Sequence, residues 1–391
     1  MTVKEKSYRE KKDKSQISFL IELVIYKKRK RVSKMIIGVS VIVVTLLMLI
    51  FIVFPPSKGK ISQFYDENGE VIENSIAEKC YLEVKDGKLG MIIIAKDISN
   101  PVLLVCGGGP GIPEYLLEYM YPSSLADNFV VCYLEYRGTG LSYSSDIKTE
   151  EMTTEKYISD IVEVSKYLSE RFEKEKIYIM GHSFGTYIAI KTVQQHPEYY
   201  NAYMAMAQIC NQTESEYMAY DYMKAQYEQL GNAKKVRKFE NYPIRESDEM
   251  YTKYFSSSLR DTAMHELGVG TTRDMDSVIT GIFFPSLRCK AYTWQERINI
   301  WRGKRMSTQF PVVRDATHFN AFNEVTSLQI PIYFFAGKHD YTCCFDLQYE
   351  YYKQIESPIK EFYVFEHSAH SPIFEEPEDA AKLFEKILET E

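Results

Sequence analysis

Residues 181–185 read Gly-His-Ser-Phe-Gly and follow directly on the apolar run Lys176-Ile177-Tyr178-Ile179-Met180. A G-x-S-x-G segment between a strand pattern and a helix pattern constrains the fold more than any other feature of the chain. Glycines at 181 and 185 remove the Cβ atoms that a sharp strand-to-helix turn would crowd. The turn lifts the Ser183 hydroxyl above a sheet, at the start of the next helix, where the backbone dipole favours developing negative charge. The pentapeptide alone is a weak signal. The strand before it and the helix after it make Ser183 the candidate nucleophile.

The surrounding sequence alternates in the way such a turn requires. Residues 80–84 and 89–95 read as strands with Asp86-Gly87 as the hairpin turn. Residues 101–106 are a continuous apolar run ending in Gly107-Gly108-Gly109-Pro110-Gly111, and residues 129–134 are another; buried parallel strands have this composition. Helical periodicity over 154–172, a helix from 183 to about 195 and a strand over 202–207 continue the series. The alternation stops near Cys210, and the next stretch is rich in Tyr, Met and Glu and helical in pattern. Strands resume at 330–336 and 361–365, before a closing helix from about residue 376. The expectation is an α/β fold with a mostly parallel sheet flanked by helices. Its core spans residues 76–209 and 328–391, divided by a mainly helical cap insertion over 210–327.

The N-terminal part is set apart by composition. Residues 35–54 are twenty uncharged residues rich in Ile, Val and Leu, and a helix of that length rises about 30 Å, the thickness of a bilayer core. Residues 1–34 carry twelve Lys or Arg against four Asp or Glu, and the remainder of a chain of net charge −7 has an excess of fifteen acids. The positive-inside rule then predicts a transmembrane helix with a basic cytoplasmic segment before it and a linker, 55–75, after it. The catalytic part would lie outside the cell as a single-pass membrane protein. No small-x-small cleavage site follows the run, which favours an uncleaved anchor over a signal peptide. The shorter stretch 17–26 reads equally as an interfacial or a cytoplasmic helix.

All seven cysteines lie after residue 54, without a C-x-x-C, and read as buried thiols rather than a disulfide framework. The histidines show no metal-binding spacing, so neither metal nor other cofactor is expected. The basic run 27–34 reads as a topology signal near anionic lipid, not a nucleic-acid surface.

A serine hydroxyl needs a base within hydrogen-bond reach and a carboxylate to orient that base. On a sheet with this kind of elbow, the order along the chain is Ser, acid, His, each on a loop after a strand. Asp340 follows the strand 330–336, and His370 follows 361–365. His367 is the competing base, while His339, Asp346 and Glu350 are weaker alternatives. The oxyanion requires backbone donors: Phe184 N–H, and one from the glycine loop, Gly109 first and Gly108 second, since Pro110 has no N–H. The loop has neither the Lys-Ser/Thr of a P-loop nor G-x-G-x-x-G spacing.

Four motifs in order then resemble the α/β-hydrolase superfamily, and more narrowly its proline iminopeptidase-like serine peptidases. They are Gly107-Gly108-Gly109-Pro110-Gly111, Glu135-Tyr136-Arg137-Gly138-Thr139-Gly140-Leu141-Ser142, the G-H-S-F-G and the terminal Ala369-His370-Ser371-Pro372. The group typically has H-G-G-P-G and D-Q-R-G-x-G-x-S, so Gly107 and Glu135-Tyr136 are departures. The first bears on how the oxyanion loop is held; the second leaves a carboxylate beside Arg137 for an ion pair. The resemblance implies a helical cap whose acidic residues receive a peptide's free amino terminus, with Glu214, Glu216 and Glu296 as counterparts. It implies an acyl-enzyme peptidase acting on short peptides, with proline first as one option. A carboxylesterase or lipase using the same triad on small acyl esters is the enzyme alternative. A fold-retaining binding protein without chemistry is the other.

Overall fold

A computed structural model of the chain describes the backbone of residues 3–390 and the side chains of residues 18–390 other than 46, 47, 49 and 50. The chain divides into two units, Met1–Pro56 and Ser57–Glu391. The first is a helix, Val3–Val53. Among the described residues, no helix is long and apolar enough to cross a membrane. Four of the twenty residues of the expected span, Leu46, Leu47, Leu49 and Ile50, lie outside the described side chains, as do residues 1–17 of the basic segment. Within the described part, Met35, Ile36, Ile37, Val39, Val41, Ile42, Val43 and Val44 are all exposed.

The second unit is built on eight strands: β1 (Ile76–Val84), β2 (Gly87–Ala95), β3 (Val102–Cys106), β4 (Val130–Glu135), β5 (Ile177–His182), β6 (Tyr200–Met206), β7 (Ile332–Gly337) and β8 (Lys360–Phe365). Their order across the sheet is β1-β2-β4-β3-β5-β6-β7-β8. β2 pairs antiparallel with β1 and with β4, and every other pairing is parallel. The hairpin loop is Lys85-Asp86, one residue earlier than expected, because Asp86 takes the left-handed φ of 63° and Gly87 already pairs with Val84.

Burial explains the sequence pattern. β3, β4 and β5 are buried along their whole length, which is why they read as unbroken apolar runs. The sheet has an apolar layer on each face. One joins Leu104, Cys132 and Ile179 to the helices Thr154–Arg171 and Phe184–Gln195; the other joins Leu103, Val131 and Met180 to the closing helix Pro377–Thr390.

Between β6 and β7 the chain leaves the sheet and is mostly helical, as the insertion pattern implied. It has a core of its own in Tyr220, Met223, Tyr227, Phe239, Tyr254, Met264 and Val269. Much of the Tyr and Met content of this segment is therefore spent in cap packing, while Tyr292 packs with the sheet core. All seven cysteines are free, and all but Cys80 are buried.

Candidate active site

Ser183 sits between β5 and the helix Phe184–Gln195 at φ 54° and ψ −121°. A non-glycine residue there costs on the order of 1–3 kcal/mol, and the surrounding packing must hold it. The two flanking glycines show how. A Cβ on Gly185 would lie 1.8 Å from the Cys106 carbonyl oxygen, and one on Gly181 would lie 2.6 Å from Thr186 Cα. Only bare backbone lets the turn pack this tightly on the end of β3. Ser183 N–H donates to the Met206 carbonyl at 3.1 Å, and the Ser183 carbonyl accepts from Thr186 N at 2.8 Å and Thr186 Oγ1 at 2.6 Å. The serine side chain itself is only half-buried.

Asp340 and His370, thirty positions apart, meet beside this elbow. His370 Nδ1 lies 3.0 Å and 3.1 Å from the two carboxylate oxygens. Asp340 is fully buried and also accepts from Thr342 N at 2.8 Å, Cys343 N at 2.9 Å and Gln348 Nε2 at 3.3 Å. Four donors offset the removal of that carboxylate from water. With Nδ1 on the acid, Nε2 is the ring nitrogen of His370 left for chemistry. The competing His367 is exposed.

The loop that carries His370 is clamped by two more carboxylates. Glu375 accepts from Ala369 N at 2.9 Å, Ser371 N at 3.3 Å and Arg273 N at 2.6 Å; Glu376 accepts from His367 N at 3.0 Å and from Ser368 Oγ. Burial raises the Glu375 carboxyl from 4.5 to about 7, against the pull of its three N–H donors.

Four main-chain polar groups of the glycine loop after β3 are engaged by neighbouring side chains. Tyr136 Oη donates to the Gly107 carbonyl at 3.0 Å. Gly108 N–H donates to Glu114 Oε2 at 3.0 Å. From the cap helix Trp294–Ser307, Lys304 Nζ donates to the carbonyls of Gly109 and, at 3.1 Å, Pro110, which also accepts from Ser307 Oγ at 3.1 Å. Desolvation lowers the Lys304 ammonium from 10.5 to about 8. Gly108 packs on the nucleophile: a Cβ there would lie 3.2 Å from Ser183 Cβ. Gly109 adopts φ 99°, open only to glycine at ordinary cost. Among the described residues, the N–H groups of Gly109 and Phe184 have no hydrogen-bond partner, whereas that of Gly108 is taken.

Several expected partners lie elsewhere. Arg137 does not pair with Glu135. β4 ends at Glu135, and the following turn carries Arg137 to Asp160, which accepts from Nε at 2.8 Å and from Nη2 at 2.7 Å. Glu135 is buried and accepts from Tyr292 Oη at 2.7 Å and Leu141 N at 2.6 Å; burial raises it from 4.5 to about 8. Of the three cap acids, Glu216 is fully buried, and its oxygens are occupied by Arg260 and by Gln212 Nε2 at 3.0 Å. Glu296 pairs with Lys79 at 2.7 Å and closes a capping box on Thr293. Glu214 is exposed in the first turn of the helix Gln212–Gln229. Glu216 and Glu296 thus have structural partners in place of a free carboxylate.

The sequence pattern did not single out Glu114, a buried acid that joins Gly108 N–H to His182 Nδ1. The signal was present: Glu114 follows Gly107–Gly111 by three residues, and His182 precedes the serine.

Comparisons with known proteins agree with this fold. The profile of the prolyl oligopeptidase family matches residues 119–264. A probable aminopeptidase of Bacillus subtilis (strain 168), YbaC, is 30% identical over 311 residues, 78% of this chain and 94% of that protein. Among solved structures, the proline iminopeptidase of Mycobacterium smegmatis superposes with a TM-score of 0.59 at 15% identity, covering 80% of this chain and 98% of its own. The 2-hydroxy-6-oxo-6-phenylhexa-2,4-dienoate hydrolase of Rhodococcus sp. strain RHA1 gives 0.53 at 14% identity over 81% and 99%. At such identities the likeness concerns the fold.

Proposed function

This chain belongs to the α/β-hydrolase superfamily, in the family of the Bacillus subtilis relative, and from that premise we propose that it is a serine aminopeptidase acting on short peptides through an acyl-enzyme. The observation that carries the reading is the strained Ser183 turn with the Asp340–His370 pair beside it. The Ser183 hydroxyl attacks the scissile carbonyl carbon while His370 Nε2 takes its proton. Asp340 holds the ring by Nδ1 and stabilises the imidazolium. The N–H groups of Phe184 and Gly109 receive the oxyanion. As the C–N bond breaks, His370 returns the proton to the leaving amine. Water, deprotonated by the same nitrogen, then releases the acid and restores the serine. The reading of the substrate as a peptide is supported by the Bacillus relative's description and by the motifs shared with proline iminopeptidases.

The same proposal places the enzyme on a membrane. Support comes from the uncharged residues 35–54, from the described side chains between 35 and 44 standing exposed, and from the Lys and Arg excess before them. That arrangement puts the basic segment in the cytoplasm and the hydrolase outside.

The test is a panel of fluorogenic aminoacyl amides, proline among them, set against acyl esters, for wild type and Ser183→Ala. Amide turnover lost in Ser183→Ala supports the peptidase. Ester turnover without amide turnover points to an esterase. Equal fluorophosphonate labelling of both proteins would remove Ser183 from the mechanism.

A further inference from the structure

Glu114 and His182 make a buried connection that the triad chemistry does not use. His182 Nδ1 lies 2.7 Å from Glu114 Oε1, and both side chains are at most 4% exposed. His182 Nε2 lies 2.9 Å from the main-chain carbonyl oxygen of His370. A carbonyl can only accept, so Nε2 carries a proton. The other Glu114 oxygen accepts the N–H of Gly108. An unbroken path therefore runs from the oxyanion loop, through a carboxylate and an imidazole, to the backbone of the base. It passes through the residue immediately before the nucleophile, and the His182 and His370 rings lie 5.1 Å apart.

Gly107 shows that the room for this path is built in. A Cβ at 107 would lie 2.8 Å from Glu114 Cβ and 3.0 Å from its Oε2. The side chain of Glu114 occupies the space that any side chain at 107 would need.

We infer that Glu114 and His182 act together as a positioning pair, a carboxylate and an imidazolium that set the oxyanion loop and the His370 loop against each other across Ser183. The inference rests on the serine hydrolase reading above. Engaging Gly108 N–H turns that peptide away from the substrate and leaves Gly109 N–H as the loop's donor. Holding the His370 carbonyl fixes the base from its main chain, while Asp340 fixes it from its ring. Both His182 nitrogens donate only when the ring is cationic. Burial pulls His182 down, but the charge and hydrogen bond of Glu114, the His370 carbonyl and the charge of Asp340 leave it raised above its ordinary value. A raised imidazole supports the native arrangement in full at pH below its unfolded value, and that support is lost as pH rises through its folded value. The groups facing the pair are Asp340 and His370 from the acid and base loops, Tyr133 from β4 and Tyr136 from the turn that follows it. Lys304, at the far end of the glycine loop, is the rival source of an alkaline limb.

The experiment compares Glu114→Ala, Glu114→Gln and Lys304→Met with wild type, measuring kcat and KM across pH alongside melting temperature. Alanine breaks the path and lowers kcat by about tenfold or more, with KM changing far less. Glutamine restores both hydrogen bonds: its oxygen accepts Gly108 N–H and its amide donates to a neutral His182. It recovers most of the lost kcat, and the wild-type alkaline limb disappears because no charge remains to titrate. If the alanine variant folds and keeps kcat within about twofold of wild type, the pair positions nothing. If the glutamine variant keeps the alkaline limb, or Lys304→Met alone removes it, the charged form is not in use and the inference is overturned. If alanine prevents folding, the glutamine pH profile decides alone. Failure of the underlying reading is distinct: wild-type turnover would then be the same as that of Ser183→Ala.

Discussion

Lys304 Nζ lies 3.1 Å from the carbonyl oxygen of Pro110, so a cap helix holds the glycine loop from outside the sheet. The same ammonium donates to Gly109. Lys304→Met keeps the aliphatic stem and removes both bonds, freeing a loop whose φ at Gly109 is 99°. We expect kcat to fall by roughly tenfold, less than the ~100-fold that follows loss of a direct oxyanion donor. Steady-state kinetics on the best amide substrate measures it; a change confined to KM would contradict it.

Asp340→Asn keeps the volume of a fully buried side chain and alters the proton arrangement on His370 Nδ1. An amide can present its N–H to that nitrogen and trap the wrong tautomer. The expected loss in kcat is roughly 10⁴-fold, with the melting temperature lowered far less than by Asp340→Ala. Alanine strands the Thr342 and Cys343 N–H groups, at about 1–3 kcal/mol each.

The elbow predicts a contrast between two glycines. Gly185→Ala would set a methyl 1.8 Å from the Cys106 oxygen, and backbone cannot step aside, so stability should fall by roughly 3 kcal/mol or more. Gly231→Ala meets nothing within 4 Å and carries only the strain of φ 66°, about 1 kcal/mol. Urea denaturation of the two variants side by side checks the difference.

Glu216 is fully buried and Arg260 is 15% exposed, so removing one partner strands the other. Arg260→Ala should cost about 3–5 kcal/mol, and the apolar pair Arg260→Met with Glu216→Leu should recover most of it. Were Glu216 instead the receiver of a substrate amino group, the double variant would be stable but show a greatly raised KM for peptides with free amino termini.

Glu135 contributes a pH dependence of unfolding. Its folded value of about 8 lies above the unfolded 4.5, so the native state binds the extra proton between them. Stability therefore falls as pH rises through that window, by a few kcal/mol at most. Glu375, raised to about 7, acts in the same direction. Glu135→Gln faces an amide toward the Leu141 N–H and is less stable at acid pH, but its melting temperature should decline less between about pH 5 and pH 8. An unchanged slope would show that Glu135 is ionised throughout.

The sheet was legible because each buried strand is a short apolar run and each turn has its own chemistry. Ser183 was legible because its two glycines are local to it. Asp340 and His370 could be found by order along the chain and by position after a strand. The pairing of Glu114 with His182 spans 68 positions, and that of Glu296 with Lys79 spans 217. No local pattern registers which distant cation or imidazole a carboxylate will meet. Arg137 was read by its nearest acid in sequence, yet the chain turns off β4 between them and a helix supplies Asp160. Proximity in sequence predicts ion pairs within a helix turn, not across the end of a strand.

The chain departs for the cap after β6 and returns to β7, and those strands are direct neighbours: Ala207 N–H donates to the Phe335 carbonyl at 3.1 Å. Exit and re-entry are thus stitched together whatever lies between. An excursion inserted there can vary in length without altering strand register, although this one is fastened back to the core through Lys304 on the glycine loop and Tyr292 on Glu135. Diversification of what such a hydrolase accepts can therefore proceed in one contiguous stretch, provided that the anchors at Lys304 and Tyr292 are retained.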